Sequence, residues 1–576
     1  MRSAIVAGLI LMTLSGCLSS PKPPANQFKS EQTAKLLAEG PPKPAATAGI
    51  SSSPVVPDPV RIEPEKAVGY QDLPTTITQL YTTDPLKLGM AEVVTQTLAN
   101  NRGLKISGYT YRLAEFDVPI SRSIYDLLIS GSAQYSKDET QSLSGGKTES
   151  RSRSATLSLA QLTPTGATIS ATYDALYNAS NVFSRISGVP DVTLTGTSRG
   201  YAQDALIGIT QPLLRGFGPY VTNAGIMVAQ LERQGAAADF QTQIEQTIAS
   251  VLATYWQLIG DIEIYKINII SYAAALDLQR VNQAKYEAGV LARVEVVQAE
   301  ASAEDRRAQL ITARQNVRDT EDLLKRQLFL NGGTPLWPAQ ILPTQPFVWR
   351  EIDLDLDKTI SLALAERSEM RRANSNVEQA QVNERVARNS MLPDVSLFAN
   401  AGVNGTDRHF DASGDNMRDG DYNSYTAGIG FSYPLQNRAA RYRYAQAQTR
   451  SAQAKESFKD ETDQITYEVR RAVRNLKTAR ERIDATASAV AAQERKLQDE
   501  RQRYDVGAAT AFEILTFQSD LANSQEQHLQ AVVDYNVAAI QVERARGTLL
   551  KTFGVEVADP DLMPPNPPVR FPVGLK

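Results

Sequence analysis

One short pattern occurs twice and breaks two long helical runs in the same way. The first copy reads Tyr286-Glu287-Ala288-Gly289, then Val290 to Val294, then Glu295-Val296-Val297. The second reads Tyr504-Asp505-Val506-Gly507, then Ala508 to Phe512, then Glu513-Ile514-Leu515. Glycine suits a point where a helix stops and the chain reverses, because left-handed backbone carries no Cβ penalty there. Both copies therefore read as tips of long helical hairpins. The flanks repeat as well, so the chain is an internal duplication.

The helices that reach the tips carry a narrow apolar stripe. Ile244, Ile248, Val251, Tyr255, Leu258, Ile262, Tyr265, Ile269, Tyr272 and Leu276 step by alternate fours and threes. That sustained period of about 3.5 residues marks helices that supercoil against neighbours. Running from Val221 to Tyr286, such a helix is about 100 Å long at ~1.5 Å per residue. A return helix, with Leu310, Val317 and Leu324 seven apart, is expected to end near Leu330. The second repeat matches, with Ile465, Val469, Ala472, Leu476, Ala479 and Ile483 on a helix from about Ala439 to Tyr504, and a return to about Leu550.

Ahead of each long helix the period changes. After helices expected over Leu86–Asn101 and Leu104–Val118, Leu127, Ile129, Gly131, Ala133 and Tyr135 alternate with Leu128, Ser130, Ser132 and Gln134. Similar strands are expected around Ala155–Ala160, Ala167–Leu176 and Tyr201–Thr210, and in the second repeat from Leu392 and over Tyr425–Tyr433. Serine, threonine, glycine and tyrosine dominate, which suits strands with one face on lipid and one on water. Tyr125, Tyr135, Tyr173, Tyr177 and Tyr201 are candidate interface aromatics. A soluble β-sandwich is the competing reading. The acidic stretch Gly405–Tyr422 lacks the aspartate order and closing glutamate of a calcium loop, so a solvated surface loop is expected.

Composition excludes several functions. A formal net charge of −4 with interspersed signs recruits no nucleic acid. The two histidines, His409 and His528, have no ligand-like neighbours, so no metal, cofactor or catalytic residue is assigned. The single cysteine follows Leu14-Ser15-Gly16 after a short basic start and an apolar run too short for a retained span. Residues 1–16 read as a signal peptide, and 17–66, rich in proline, serine and alanine, as a disordered tether. Residues 84–333 form the first repeat, 334–357 a connector with Trp337 and Trp349, 358–552 the second repeat, and 553–576 a proline-rich tail.

Twice over, the order is short helices, strand, loop, strand, very long helix, tip and return helix, which resembles the TolC-like outer-membrane factors. The most specific pieces are the two tips, Leu392-Pro393-Asp394, Gln211-Pro212-Leu213 and Tyr433-Pro434-Leu435. The segment ending at Cys17 resembles a bacterial lipobox, which implies acylation of Cys17 and places the chain with the lipoprotein type. The resemblance implies a mainly α fold with a transmembrane β section. A homotrimer would close a β-barrel in outer-membrane lipid and a long coiled-coil α-barrel in the periplasm. It also implies a passive exit duct for an efflux pump or type I secretion system, served by a periplasmic adaptor and an inner-membrane transporter. Tyr286, Gly289, Glu295, Tyr504, Gly507 and Glu513 are the implied gate residues, with Glu513 an acid facing the pore and Tyr504 in the bonds that shut it. Ala509 and Thr516 depart from that closing network. The plainer reading of Glu295 and Glu513 is that they favour helix starts.

At least four strands per chain, and a ring of at least about twelve, are expected. The first repeat's strand section is roughly twice as long as the second's, from Asp126 to Pro212 against Asp394 to Pro434. Its extra hairpin, around Leu157 to Leu176, is expected to extend beyond the membrane rather than widen the ring. A periplasm-spanning lipoprotein without a pore is the alternative function, though a tether has no use for duplicated amphipathic strands.

Overall fold

The duplication is visible in the element order. The computed structural model describes residues 80, 85–141, 147–185, 193–328, 337 and 339–555. The signal peptide, Cys17, the 17–66 tether and most of the tail lie outside the described residues. The first repeat comprises β1 (Leu86–Leu88), α1 (Met90–Asn100), α2 (Arg102–Arg122), β2 (Leu128–Gln141), β3 (Lys147–Leu162), β4 (Thr168–Arg185), β5 (Thr193–Pro212), α3 (Pro219–Thr222), α4 (Ala224–Glu287) and α5 (Arg293–Leu328). After β6 (Ile341–Pro343) the second comprises α6 (Leu356–Glu366), α7 (Ser368–Asn389), β7 (Asp394–Asp407), α8 (Phe410–Asp419), β8 (Asn423–Ser432), α9 (Arg438–Asp505), α10 (Ala511–Ala545) and α11 (Leu549–Thr552). These fall into two compact units, one of Asp117–Gln230 and Gln379–Ala452, the other of the described parts of Ser51–Phe116, Leu231–Glu378 and Gln453–Lys576.

The first unit is built on one antiparallel sheet in the order β2-β3-β4-β5-β7-β8. Its register aligns a single row across all six strands: Ile129, Leu159, Ala171, Ile207, Ala401 and Tyr425. The neighbouring row on that face is Gly131, Leu157, Tyr173, Ala205, Val403 and Asn423. One residue away, on the other face, lies Ser130, Ser158, Thr172, Leu206, Gly402 and Ser424. Strand geometry sends alternate side chains to opposite faces, so one face is an apolar band and the other is largely polar. The band is open: Ile129, Leu157, Ile429 and Phe431 are all more than half exposed. A soluble sandwich would bury that face against a second sheet; the only other strand pair described is the short β1–β6.

Two expectations are corrected here. The extra hairpin does not stand apart from the sheet. It is β3 and β4, hydrogen-bonded between β2 and β5 at the same level as the rest. The acidic stretch after Gly405 is not all loop, because it holds the helix α8. That helix is fixed by tertiary contacts that local propensity does not reveal. The Gln203 amide donates to the Phe410 carbonyl (2.8 Å) and the Ser413 hydroxyl (2.9 Å), and Asn416 donates to the Thr406 carbonyl (3.1 Å). Gly405 has no side chain because α8 backbone at Ser413 and Met417 occupies the place of its Cβ.

In the second unit the four-and-three stripe forms the core. Ile244, Ile248, Val251, Tyr255, Leu258 and Ile262 of α4 are buried with Leu310, Val317 and Leu324 of α5. Ile465, Val469, Leu476 and Ile483 of α9 are likewise buried. Leu86–Leu88, expected as helix, instead pairs in parallel with Ile341–Pro343 of the connector. The Tyr255 hydroxyl donates to the Leu88 carbonyl at 2.8 Å, tying that ribbon to α4. Trp349 packs edge-on against Tyr535, with centroids 5.3 Å apart, and seals the outside of α9 and α10.

Candidate functional site

Both tips close by the same backbone device. Gly289 and Gly507 adopt φ of 71° and 75°, the left-handed region. The Gly289 amide donates to the Tyr286 carbonyl (2.9 Å) and the Val290 amide to the Lys285 carbonyl (3.0 Å). In the second copy Gly507 donates to Tyr504 (3.1 Å) and Ala508 to Arg503 (2.8 Å). These bonds satisfy carbonyls that a helix end otherwise leaves orphaned. The repeated glycine is thus a structural requirement in each tip.

The side chains around the turns are not equivalent. Tyr504 is 9% exposed, whereas Tyr286 is 40% exposed. The Tyr504 hydroxyl donates to Asn282 Oδ1 at 2.6 Å, and Asn282 Nδ2 donates to the Glu295 carbonyl at 3.3 Å. Asn282 is fully buried, so its amide joins the end of α9 to the end of α4 and the start of α5. The Lys285 ammonium sits 4.0 Å from the Tyr504 ring centroid, a cation–π contact on the same tyrosine. Beneath it, Leu278, Tyr504, Ala511, Ile514 and Leu515 form a small apolar cluster.

The two acids differ as well. Glu513 lies in a reciprocal cap at the start of α10. Its carboxylate accepts from the Thr510 amide (2.8 Å) and hydroxyl (3.0 Å), while its own amide donates to the Thr510 hydroxyl (3.3 Å). The amide bond from Thr510, then its hydroxyl, holds the Glu513 carboxyl below the ordinary glutamate range. Glu295 occupies the same place at the start of α5, but Ala292 stands where Thr510 does and offers no hydroxyl. One Glu295 carboxylate oxygen is buried without a hydrogen-bond partner.

All six residues singled out by the sequence pattern are at the tips. The pattern missed Asn282, Lys285, Arg503 and Thr510. Thr510 was readable, since Thr-x-x-Glu is the signature of a capping box. Asn282 was not, because its partners are 222 and 13 residues away. Beside the second tip, a groove of about 420 Å³ runs between α4, α9 and α10, with Ile270, Ala274, Leu497, Arg501, Asp505 and Gln518 in its wall. Among the described residues no cluster of acidic, histidine or cysteine side chains could hold a metal ion. No described helix is long and apolar enough to cross a membrane.

Comparison with known proteins adds to this geometry. The profile of the family Outer membrane efflux protein matches residues 359–548. The chain is 25% identical over 362 residues to the outer membrane efflux protein BepC of Brucella suis biovar 1 (strain 1330), covering 61% of this chain and 74% of that one. It is 23% identical over 328 residues to the outer membrane protein TolC of Escherichia coli (strain K12), covering 54% of this chain and 63% of that one, just under two thirds of its length. In fold it is similar to the Campylobacter jejuni CmeC outer membrane channel, with a TM-score of 0.59 at 18% identity over 80% of this chain and 86% of that one.

Proposed function

We propose that the chain is a member of the TolC-like outer membrane efflux protein family and serves as the exit duct of a tripartite efflux pump or a type I secretion system. Three copies close their sheets into one barrel, with the apolar band on lipid and the polar face on water. The long helices form the periplasmic part of the conduit, and Cys17 carries a lipid anchor. Cargo passes without bond chemistry. A periplasmic adaptor and an inner-membrane transporter engage the tips.

The observation that carries this reading is the sheet. An apolar face across six strands, with no strand on the outer edge of β2 or β8 among the described residues, is costly in water and in lipid alike. Closure by copies of the chain removes both costs. A pore-free tether leaves that face unexplained. Purified full-length protein added to planar bilayers should give discrete channels, and chemical cross-linking should stop at three copies. Cross-linking that stops at one copy, with no conductance, would overturn the proposal. At Cys17, mass spectrometry of the mature terminus should find the diacylglyceryl group.

A further inference from the structure

We infer that the outer-membrane ring of this protein has eighteen strands, six from each copy, with the β3–β4 hairpin forming part of its wall. The inference rests on the trimeric duct proposed above. Two strands per repeat, the number in the second repeat, would give four per chain and twelve per ring. The first repeat instead supplies four strands, all in one hydrogen-bonded ladder.

Three observations place the hairpin in the wall rather than outside it. First, β3 and β4 bond on both sides, β3 to β2 and β4 to β5, so neither has a free edge to leave the sheet by. Second, their apolar residues, Ala155, Leu157 and Leu159 on β3 and Ile169, Ala171, Tyr173 and Ala175 on β4, continue the band of the outer strands at the same height. A hairpin standing in water has no reason to carry that band. Third, Asp174 of β4 lies opposite Asp204 of β5 on the polar face, and Thr156 of β3 donates to Asp174 at 2.5 Å. Carboxylates at mid-height need water, so the lumen extends behind β3 and β4.

The edges suit a ring of copies. Neighbours in the sheet are all antiparallel and their number is even, so β2 and β8 run in opposite directions. The free edge of β8 can then pair antiparallel with β2 of the next copy, and a rotation closes the ring with no edge left. Both edge strands bear the band, Ile129 to Tyr135 on β2 and Tyr425 to Phe431 on β8. Barrel diameter grows roughly in proportion to strand number, so eighteen strands give a ring about 1.5 times as wide as twelve. A mouth of that width contributes little selection, which leaves discrimination to the tips.

The test is a strand count by electron cryo-microscopy of the full chain in lipid nanodiscs, beside a variant lacking residues 147–192. That deletion joins β2 to β5 at the end where both already turn, brings Ile129 opposite Ile207, and keeps the two faces. Trimers with eighteen strands, narrowing about 1.5-fold in the deletion variant, are expected. A trimer with a twelve-stranded ring and β3–β4 lying outside it would overturn the inference and leave the proposed function standing. Absence of any trimer would overturn that function and the inference with it. If the deletion variant fails to fold, single cysteines in a Cys17→Ser background decide the matter. Asp174→Cys should react with a charged thiol reagent while Ala175→Cys stays protected in lipid, and equal labelling of the two would overturn the inference.

Discussion

The two tips share a sequence pattern and a backbone turn, yet their side chains are held in different ways. The second is the more fully bonded end. Tyr504 is buried and bonded to Asn282, and Glu513 is tied into a cap with Thr510. The first is looser, with Tyr286 exposed, no hydroxyl at Ala292 and a carboxylate oxygen of Glu295 unpartnered. At the position matching Asn282 the second repeat has Glu500, which is bonded to its own Arg503 at 3.0 Å rather than to the other hairpin. Duplication therefore kept what the turn requires and changed what links the hairpins. The link runs one way, from the tyrosine of the second tip to the asparagine of the first.

The largest effect is expected where that link is cut. Asn282→Leu leaves the buried Tyr504 hydroxyl without its partner, at about 1–3 kcal/mol. Hydrogen exchange at both tips should quicken and resting conductance should rise. Unchanged exchange at Glu295 would show that the two ends are independent. Next comes the cap. Thr510→Ala should cost about 1 kcal/mol of local stability at the start of α10, and Ala292→Thr should recover a similar amount at the start of α5. The cap also has a pH signature. Because Glu513 titrates below its ordinary value, the cap's contribution is complete above the unfolded glutamate range and fades as pH falls through the lowered value. The gap between wild type and Thr510→Ala in exchange protection should therefore close in acid; a gap that widened would reverse the assignment.

A smaller change, Tyr504→Phe, removes one hydrogen bond worth about 0.5–1.5 kcal/mol and should raise resting conductance, while Tyr286→Phe should leave it alone. Equal responses would erase the asymmetry. The smallest effect belongs to the acids. Glu295→Gln together with Glu513→Gln should lower cation preference less than about tenfold, if the ring of carboxylates concentrates cations at the mouth. Between the singles, Glu295→Gln should weigh more, since the Glu513 charge already serves its helix. Selectivity unmoved by the double change would mean that both acids serve only their helix starts.

How far the sequence carried depended on the range of the interactions. The long helices and their ends were readable to within a few residues, because a stripe of fours and threes and a glycine stop are local signals. Strand positions were readable, but not their lengths. β4 and β5 run well beyond the apolar stretch that marks them, through Ser180 and Gly200, because ladder pairing holds polar residues that carry no alternation. The helix α8 was hidden because glycine and aspartate speak for loop, and its support comes from Gln203, more than two hundred residues earlier. β1 reads as helix in the sequence because its partner, Ile341–Pro343, lies in a different segment. At the tips the six patterned residues were found, and the asparagine that joins them was not.

The placement of β3 and β4 also bears on how such a chain changes over generations. They enter and leave the sheet at the same end, between strands that could pair directly, so their gain or loss reverses no strand and disturbs no neighbour's pleat. In the ring proposed above, a single inserted strand would turn the edge β8 around, and every seam between copies would fail. Under threefold symmetry the smallest heritable step in girth is therefore one hairpin per gene and six strands per ring. The bore of a duct like this one evolves by increments, not by degrees.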